Sequence, residues 1–213
     1  MTPVVFIIGV GPGLGESLAR TFYKASYKVG LIARSTKRLN SISESIPGTD
    51  IAFEACDCTD YNKFGAAIEK LSKTLGKPSV CIYNAAALTA DNILTMDPAD
   101  LLYRLNINLV ATLVMVQTVL PMFSSLTTGG HFLFTGGILA HKPNSEMSSL
   151  SLGKQGLLTL SSMLEEELSQ ENICCTYMNI TTRIGEEGTP PDVIATKYLD
   201  VINNKLTGEI LVP

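Results

Sequence analysis

The feature that most constrains this chain is its beginning, where an unbroken apolar run, Val4–Ile8, leads directly into Gly9-Val10-Gly11-Pro12-Gly13-Leu14-Gly15. Leu14, Leu18 and Phe22 then recur every four residues, which predicts an amphipathic helix from about Leu14 to Ala25. A strand apolar on successive residues is covered on both faces, and a glycine turn into a helix is how a parallel sheet receives that cover. The same alternation continues through Lys28–Ala33, Ile51–Ala55, Ser79–Tyr83, His131–Phe134, Cys174–Asn179 and Glu209–Val212. Between them lie helix-period segments, including a late one marked by Leu157, Ser161, Leu164 and Leu168. The expected fold is a Rossmann-like, doubly wound α/β domain, with a seven-stranded, mostly parallel sheet flanked by helices. No Pro/Gly/Ser linker divides the 213 residues, so residues 1–213 are expected to form one domain.

The loop's position dictates its chemistry. Glycines let backbone N–H groups approach an anion, and a helix N-terminus adds unpaired donors and a favourable dipole, so a diphosphate ligand is implied. The glycines follow G-x-x-x-G-x-G through Gly9, Gly13 and Gly15 rather than G-x-G-x-x-G, since Glu16 stands where the latter needs glycine. No G-K-[ST] follows, which excludes a Walker loop. The second strand ends in Arg34 instead of the acid that would hold a ribose 2′-hydroxyl. A guanidinium there suits a 2′-phosphate, with Lys37 and Arg38 one turn on. The implied ligand is NADP(H).

Charge and composition narrow the partners. A net charge of −4 without clustered Lys and Arg argues against nucleic acid. Leu101–Met122 is apolar but interrupted by Tyr103, Arg104, Asn106, Asn108 and Gln117, which argues against a membrane span. Met1–Val10 lacks the basic start of a signal peptide, and a cytoplasmic protein is expected. Five cysteines in strand-like segments read as reduced thiols, and no second Cys/His pair completes a metal site with Cys56 and Cys58. No metal is expected.

Taken together, five segments resemble the short-chain dehydrogenase/reductase family over nearly the whole chain. They are the loop Gly9, Gly13 and Gly15; Asp57 in Cys56-Asp57-Cys58-Thr59-Asp60; Asn84-Ala85-Ala86; Asn108 in Asn108-Leu109-Val110-Ala111-Thr112; and Lys154 before Gln155-Gly156-Leu157-Leu158. The resemblance implies a cofactor surface of Gly9, Gly11, Gly13, Leu14 and Gly15, with Arg34 at the adenosine ribose and Asp57 and Cys58 at the adenine. Asn84, Ala85 and Ala86 would line the middle, and Lys154 would hold the nicotinamide ribose. It further implies a small carbonyl or alcohol substrate, with Asn108 and Lys154 as the retained catalytic residues. A homodimer or homotetramer is implied too, formed by the apolar helix of Leu101, Leu102, Leu105, Leu109, Leu113, Val116 and Leu120, with Ile107, Val110 and Val114 around it, and by the helix near Lys154.

The departures fall on the chemistry. Four residues before Lys154 stands Leu150, where the family has its tyrosine acid, and thirteen before that stands Gly137, where it has its serine. Neither side chain can donate a proton. Substitute donors in the sequence are Thr135, Ser149, Ser151 and His141, although Ser148, Ser149 and Ser151 also read as helix-start hydroxyls that bond local backbone. Three functions therefore compete: an NADP(H)-dependent oxidoreductase with an atypical proton path, a catalytically silent NADP(H)-binding module, and a scaffold that keeps only the fold. Intact Gly9, Gly13, Gly15, Arg34 and Asp57 disfavour the third.

Overall fold

A computed structural model describes residues 2–127 and 129–213. Seven strands, β1 (Val4–Ile8), β2 (Lys28–Ala33), β3 (Ile51–Ala55), β4 (Val80–Tyr83), β5 (Gly130–Thr135), β6 (Ile173–Ile180) and β7 (Gly208–Val212), form one sheet in the order β3-β2-β1-β4-β5-β6-β7. Every neighbouring pair is parallel, so the "mostly parallel" expectation is met in full. Seven α-helices connect them: α1 (Leu14–Lys24), α2 (Thr36–Ser45), α3 (Tyr61–Leu75), α4 (Pro98–Leu105), α5 (Ala111–Phe123), α6 (Ser148–Leu168) and α7 (Pro191–Asn203).

Side-chain alternation along each strand builds two cores. Val5, Ile7, Leu31, Ile82, Leu133 and Met178 face α1, α2 and α7, while Phe6, Ile8, Cys81, Phe132, Phe134 and Tyr177 face α3, α5 and α6. Successive apolar residues in a strand are therefore needed, because both faces are covered. Polar residues set the helix starts: Ser35 accepts from Arg38 N, Asp60 from Lys63 N and Asp97 from Ala99 N. Such caps satisfy orphan amides just after strand exits, and so fix where each loop ends.

Two consequences bear on function. The strand order reverses direction between β1 and β4, which opens a crevice at the carboxyl edge of the sheet where the loops after both strands diverge. Between α4 and α5 the helix widens into a π-helical turn, Asn106–Val110. Such turns concentrate at functional sites because they redirect one side chain. The combined stretch Pro98–Phe123 is long and apolar enough to cross a membrane by length and composition. Its α5 residues Ala111, Met115, Val116, Val119 and Phe123 are nonetheless buried in the core against the sheet.

Candidate active site at the carboxyl edge

The nucleotide side of the crevice is made chiefly of backbone. Gly9 has φ of 90°, and a Cβ there would collide with the Ala85 backbone, so β1 and β4 approach at a distance only glycine allows. Asn84 seals the approach by donating from Nδ2 to Gly9 O at 2.8 Å. Gly15, in the first turn of α1, brings that helix down on the loop: a Cβ would stand 2.8 Å from Gly9 O. Gly11 and Gly13 are different, since a Cβ on either would meet nothing within 4 Å. The loop thus closes tightly on the protein at Gly9 and Gly15 and lies open at Gly11 and Gly13, a geometry that lets a diphosphate reach the start of α1.

Further along the edge, Arg34 follows β2 with an exposed side chain that makes no hydrogen bond or ion pair among the described residues. Asp57 is held by Thr59, which donates from N at 3.0 Å and from Oγ1 at 2.8 Å, leaving its second oxygen for another donor. Cys58 is buried beside the Tyr83 hydroxyl, and burial raises its thiol pKa, so it is an apolar wall rather than a nucleophile. Leu14 opens α1, and Ala85 and Ala86 follow Asn84 in the loop after β4, with the Ala85 backbone against Gly9. These residues fit a dinucleotide.

The opposite side is built from side chains. The π-helical turn places Asn108, 2% exposed, against α6, where only a glycine at 153 leaves room for it. Its Oδ1 accepts from Ala87 N at 2.7 Å, yet its Nδ2 has no partner among the described residues. A buried amide left unpaired costs about 1–3 kcal/mol, so it marks a place for a water or ligand oxygen. Lys154 is also buried, with Nζ donating to Thr135 O at 2.5 Å, and burial without a counter-ion lowers its pKa from 10.5 to about 8.

Between them lie Gly137 and Leu150. Gly137 is extended, and a Cβ there would meet nothing nearer than Ile180 O at 3.6 Å, so packing does not require a glycine at this position. Leu150 is buried in the first turn of α6, one turn before Lys154, but belongs to neither core cluster. Beneath both, the Tyr177 hydroxyl accepts from Gly137 N and donates to Lys154 O, each at 3.2 Å. That phenol is fully buried, and desolvation drives its pKa well up. It fastens the floor of the site.

The substitute donors are occupied. Thr135 Oγ1 pairs with Tyr198 OH at 2.8 Å, and Ser151 Oγ donates to Met147 O at 2.9 Å. Ser148 bonds local backbone through Ser145 O at 2.8 Å, as helix-start hydroxyls do. Ser149 departs from that reading, because its hydroxyl and N–H both turn to the Asp91 carboxylate rather than to local backbone. His141 Nε2 is bound to Glu209 at 2.7 Å, and Glu209 lies level with Tyr177 in the sheet, below the strand ends. The imidazole is therefore engaged by a carboxylate.

The model of the short chain dehydrogenase family matches residues 3–184. The chain belongs to that family. A similar curated relative is carbonyl reductase family member 4 of Xenopus laevis, 27% identical over all of this chain and 96% of the relative. The 3-oxoacyl-[acyl-carrier-protein] reductase of Rattus norvegicus is 25% identical over 81% of this chain and 72% of its own length. Among solved structures, the NADPH-bound short chain oxidoreductase of Pseudomonas aeruginosa PAO1, containing an atypical catalytic center, superposes with a TM-score of 0.91. That likeness spans 99% of this chain and 95% of the other at 18% identity, and it speaks to the fold alone.

Three residues outside the sequence motifs help to seat α6. Asp91, in the loop after β4, accepts from Ser149 N at 3.3 Å and so caps the helix that carries Leu150 and Lys154. Arg104 NH1 stands 3.6 Å from Asp91 and donates to Thr89 O at 2.9 Å, fastening the same loop to α4. Tyr177 completes the support. None has a local signal, since Asp91 and Ser149 are 58 residues apart.

Proposed function

We propose that this protein is an NADP(H)-dependent oxidoreductase that interconverts a carbonyl compound and its alcohol. The reading is carried by two buried donors on the far side of the crevice from the glycine loop: Asn108 Nδ2, which has no partner among the described residues, and the Lys154 ammonium, which spends one of its three N–H bonds on Thr135 O. Holding a cation in the interior with a single neutral acceptor is costly for folding, and a silent scaffold gains nothing by it. Curated relatives named as carbonyl and 3-oxoacyl reductases, and an NADPH-bound neighbour of the same fold, support the same class.

In this reading the amides of Gly11, Gly13 and Leu14 at the start of α1 receive the diphosphate, and Arg34 receives the 2′-phosphate. Asp57 and Cys58 border the adenine, while Gly9, Gly15, Asn84, Ala85 and Ala86 set the depth of the crevice. Lys154 orients the nicotinamide ribose, and the bound cofactor supplies or takes up hydride at the substrate carbon. Asn108 holds a water or substrate oxygen through Nδ2. The competing reading, an NADP(H)-binding module without turnover, draws on Gly137 and Leu150.

The chain has no tryptophan, so fluorescence of reduced nicotinamide reports binding without protein background near its excitation. NADPH should bind more tightly than NADH by about 10- to 100-fold, and Arg34→Ala should erase the difference, which corresponds to one charge-assisted hydrogen bond of about 1.5–3 kcal/mol. Oxidation of NADPH against a panel of aldehydes and ketones then separates enzyme from module: no turnover with any of them favours the module. We further propose self-association through Leu102, Val110 and Leu113, which are 64%, 36% and 39% exposed on one continuous helical stretch. Light scattering that finds only monomer at micromolar concentration would contradict it.

A further inference from the structure

We propose that the Lys154 ammonium is itself the proton donor to the carbonyl oxygen, and the acceptor in the reverse direction, working across the space that Gly137 leaves open. This rests on the oxidoreductase reading above. The first argument is the inventory of protons at the floor of the site. Thr135, Ser149 and Ser151 have hydroxyls committed to Tyr198, Asp91 and Met147 O; His141 is bound to Glu209. The Tyr177 phenol is buried beneath the floor between two backbone groups, and Asn108 is an amide that hydrogen-bonds without ionising. An ammonium has three N–H bonds, and Lys154 uses one of them on Thr135 O.

The second argument is place. Tyr177 OH joins Gly137 N to the backbone carbonyl of Lys154, so one hydroxyl ties the turn of α6 that carries the lysine to the Gly137 peptide. The lysine amine reaches the carbonyl of Thr135, two residues before Gly137, and nothing projects from 137 to separate it from a substrate oxygen. One water spans whatever gap remains, and the unpaired Asn108 Nδ2 is a donor able to hold that water.

The third is electrostatic. The elements packed on this part of α6 offer Tyr177 from β6, Tyr198 from α7 by way of Thr135, and Glu209 with His141 bound to it; Asp91 and Arg104 pair with each other near Ser149. Both phenols stay neutral because burial raises their pKa values, and burial alone lowers that of the lysine, to about 8. An acid of that strength exchanges protons near neutral pH, as general acid catalysis needs. In the reducing direction hydride from the dihydronicotinamide forms the C–H bond at the carbonyl carbon. One ammonium N–H bond breaks, the alcohol O–H bond forms, and the resulting neutral amine takes a proton from water.

The test uses Lys154→Arg, whose guanidinium keeps the charge and the donors but does not give up its proton. NADPH should still bind, with any change in affinity measured separately by nicotinamide fluorescence, while carbonyl reduction at saturating NADPH falls by at least about 10²-fold, the lower bound for a positioned acid. In the native protein without cofactor, 13C NMR of labelled lysine Cε should show one lysine titrating near pH 8, absent from the variant. The native kcat for reduction should fall as pH rises through the same value, because the acid form is lost. If Lys154→Arg does not fold, Lys154→Ala assayed with ethylammonium replaces it, and turnover rising with added amine supports the assignment. A Lys154→Arg protein that reduces carbonyls at the native rate overturns it, as does an NADPH-binding Lys154→Ala that no amine rescues. Absence of NADPH oxidation by the native chain would overturn the oxidoreductase reading and this inference together.

Discussion

The two sides of the crevice are made of different material. On the nucleotide side recognition belongs to the backbone: Gly9 touches Ala85, Gly15 touches Gly9 O, and α1 aims its first amides at the open loop. On the carbonyl side everything belongs to side chains, and two positions there, Gly137 and Leu150, carry none of the family's hydroxyls. The lesson is one of coupling to the fold. A glycine whose Cβ would strike a neighbouring strand cannot change without disturbing the sheet, whereas a hydroxyl above an open floor can vanish at no cost to packing. Cofactor binding is therefore welded to stability in this chain, and the proton path is free to vary.

The comparison can be broken first at Gly9. Gly9→Val forces a branched side chain into the Ala85 backbone at φ of 90°. Strain of about 1–3 kcal/mol and overpacking of a similar size should combine to cost roughly 2–6 kcal/mol, and NADPH binding should go with it. Urea unfolding measures the loss. Gly11→Ala is the control: its Cβ meets open space, so stability should change by less than about 0.5 kcal/mol. Equal losses at the two positions would show that the loop is not welded to the sheet at Gly9.

The carbonyl side sharpens the contrast in the opposite direction. Gly137→Ser should leave folding near native, since the Gly137 Cβ has 3.6 Å to its nearest neighbour, whereas Leu150→Tyr enlarges a buried side chain and should cost about 1–3 kcal/mol. Turnover of the double variant should stay within about tenfold of native, because one positioned acid, worth on the order of 10²–10⁴-fold, replaces another. With a phenol in place, the fall of kcat near pH 8 expected for Lys154 should also disappear. A double variant whose turnover rises by about 10²-fold or more would mean that the native chain has no positioned acid, and would count against Lys154 as the donor.

The smallest effect separates function from stability at one residue. Lys154 has an ordinary value of 10.5 and about 8 when folded, so between those values the unfolded chain holds a proton that the folded chain does not. Stability contributed by this site therefore rises with pH across that window and is lowest below it. Lys154→Met removes the buried cation and should stabilise the fold at pH 7 by about 1–3 kcal/mol, an advantage that shrinks toward pH 10.5. Thermal unfolding at pH 7 and pH 10 reads both. A variant less stable than native at pH 7 would mean that the bond to Thr135 O outweighs desolvation.

Much was legible in the sequence because it is encoded locally. Strand periodicity, the G-x-x-x-G-x-G loop and the Arg34 exit each lie within a few residues of one another, and all seven expected strands are present, with ends shifted by one residue at most. Counting back from Lys154 also located Gly137 and Leu150 as positions without hydroxyls. What the chain's own order could not express is which donors are already engaged. Ser149 reads as a local cap until Asp91, 58 residues earlier, is found against it. His141 reads as a solitary candidate acid until Glu209, 68 residues later, is found bound to it. Tyr177 reads as one more strand aromatic until its hydroxyl joins Gly137 to Lys154. Hydrogen bonds between side chains far apart in sequence depend on where whole elements come to rest. Backbone conformation and burial periodicity are properties of short segments, so sequence alone determined the fold and the nucleotide loop. The state of each proton donor was decided only when β5, β6 and α6 were packed together.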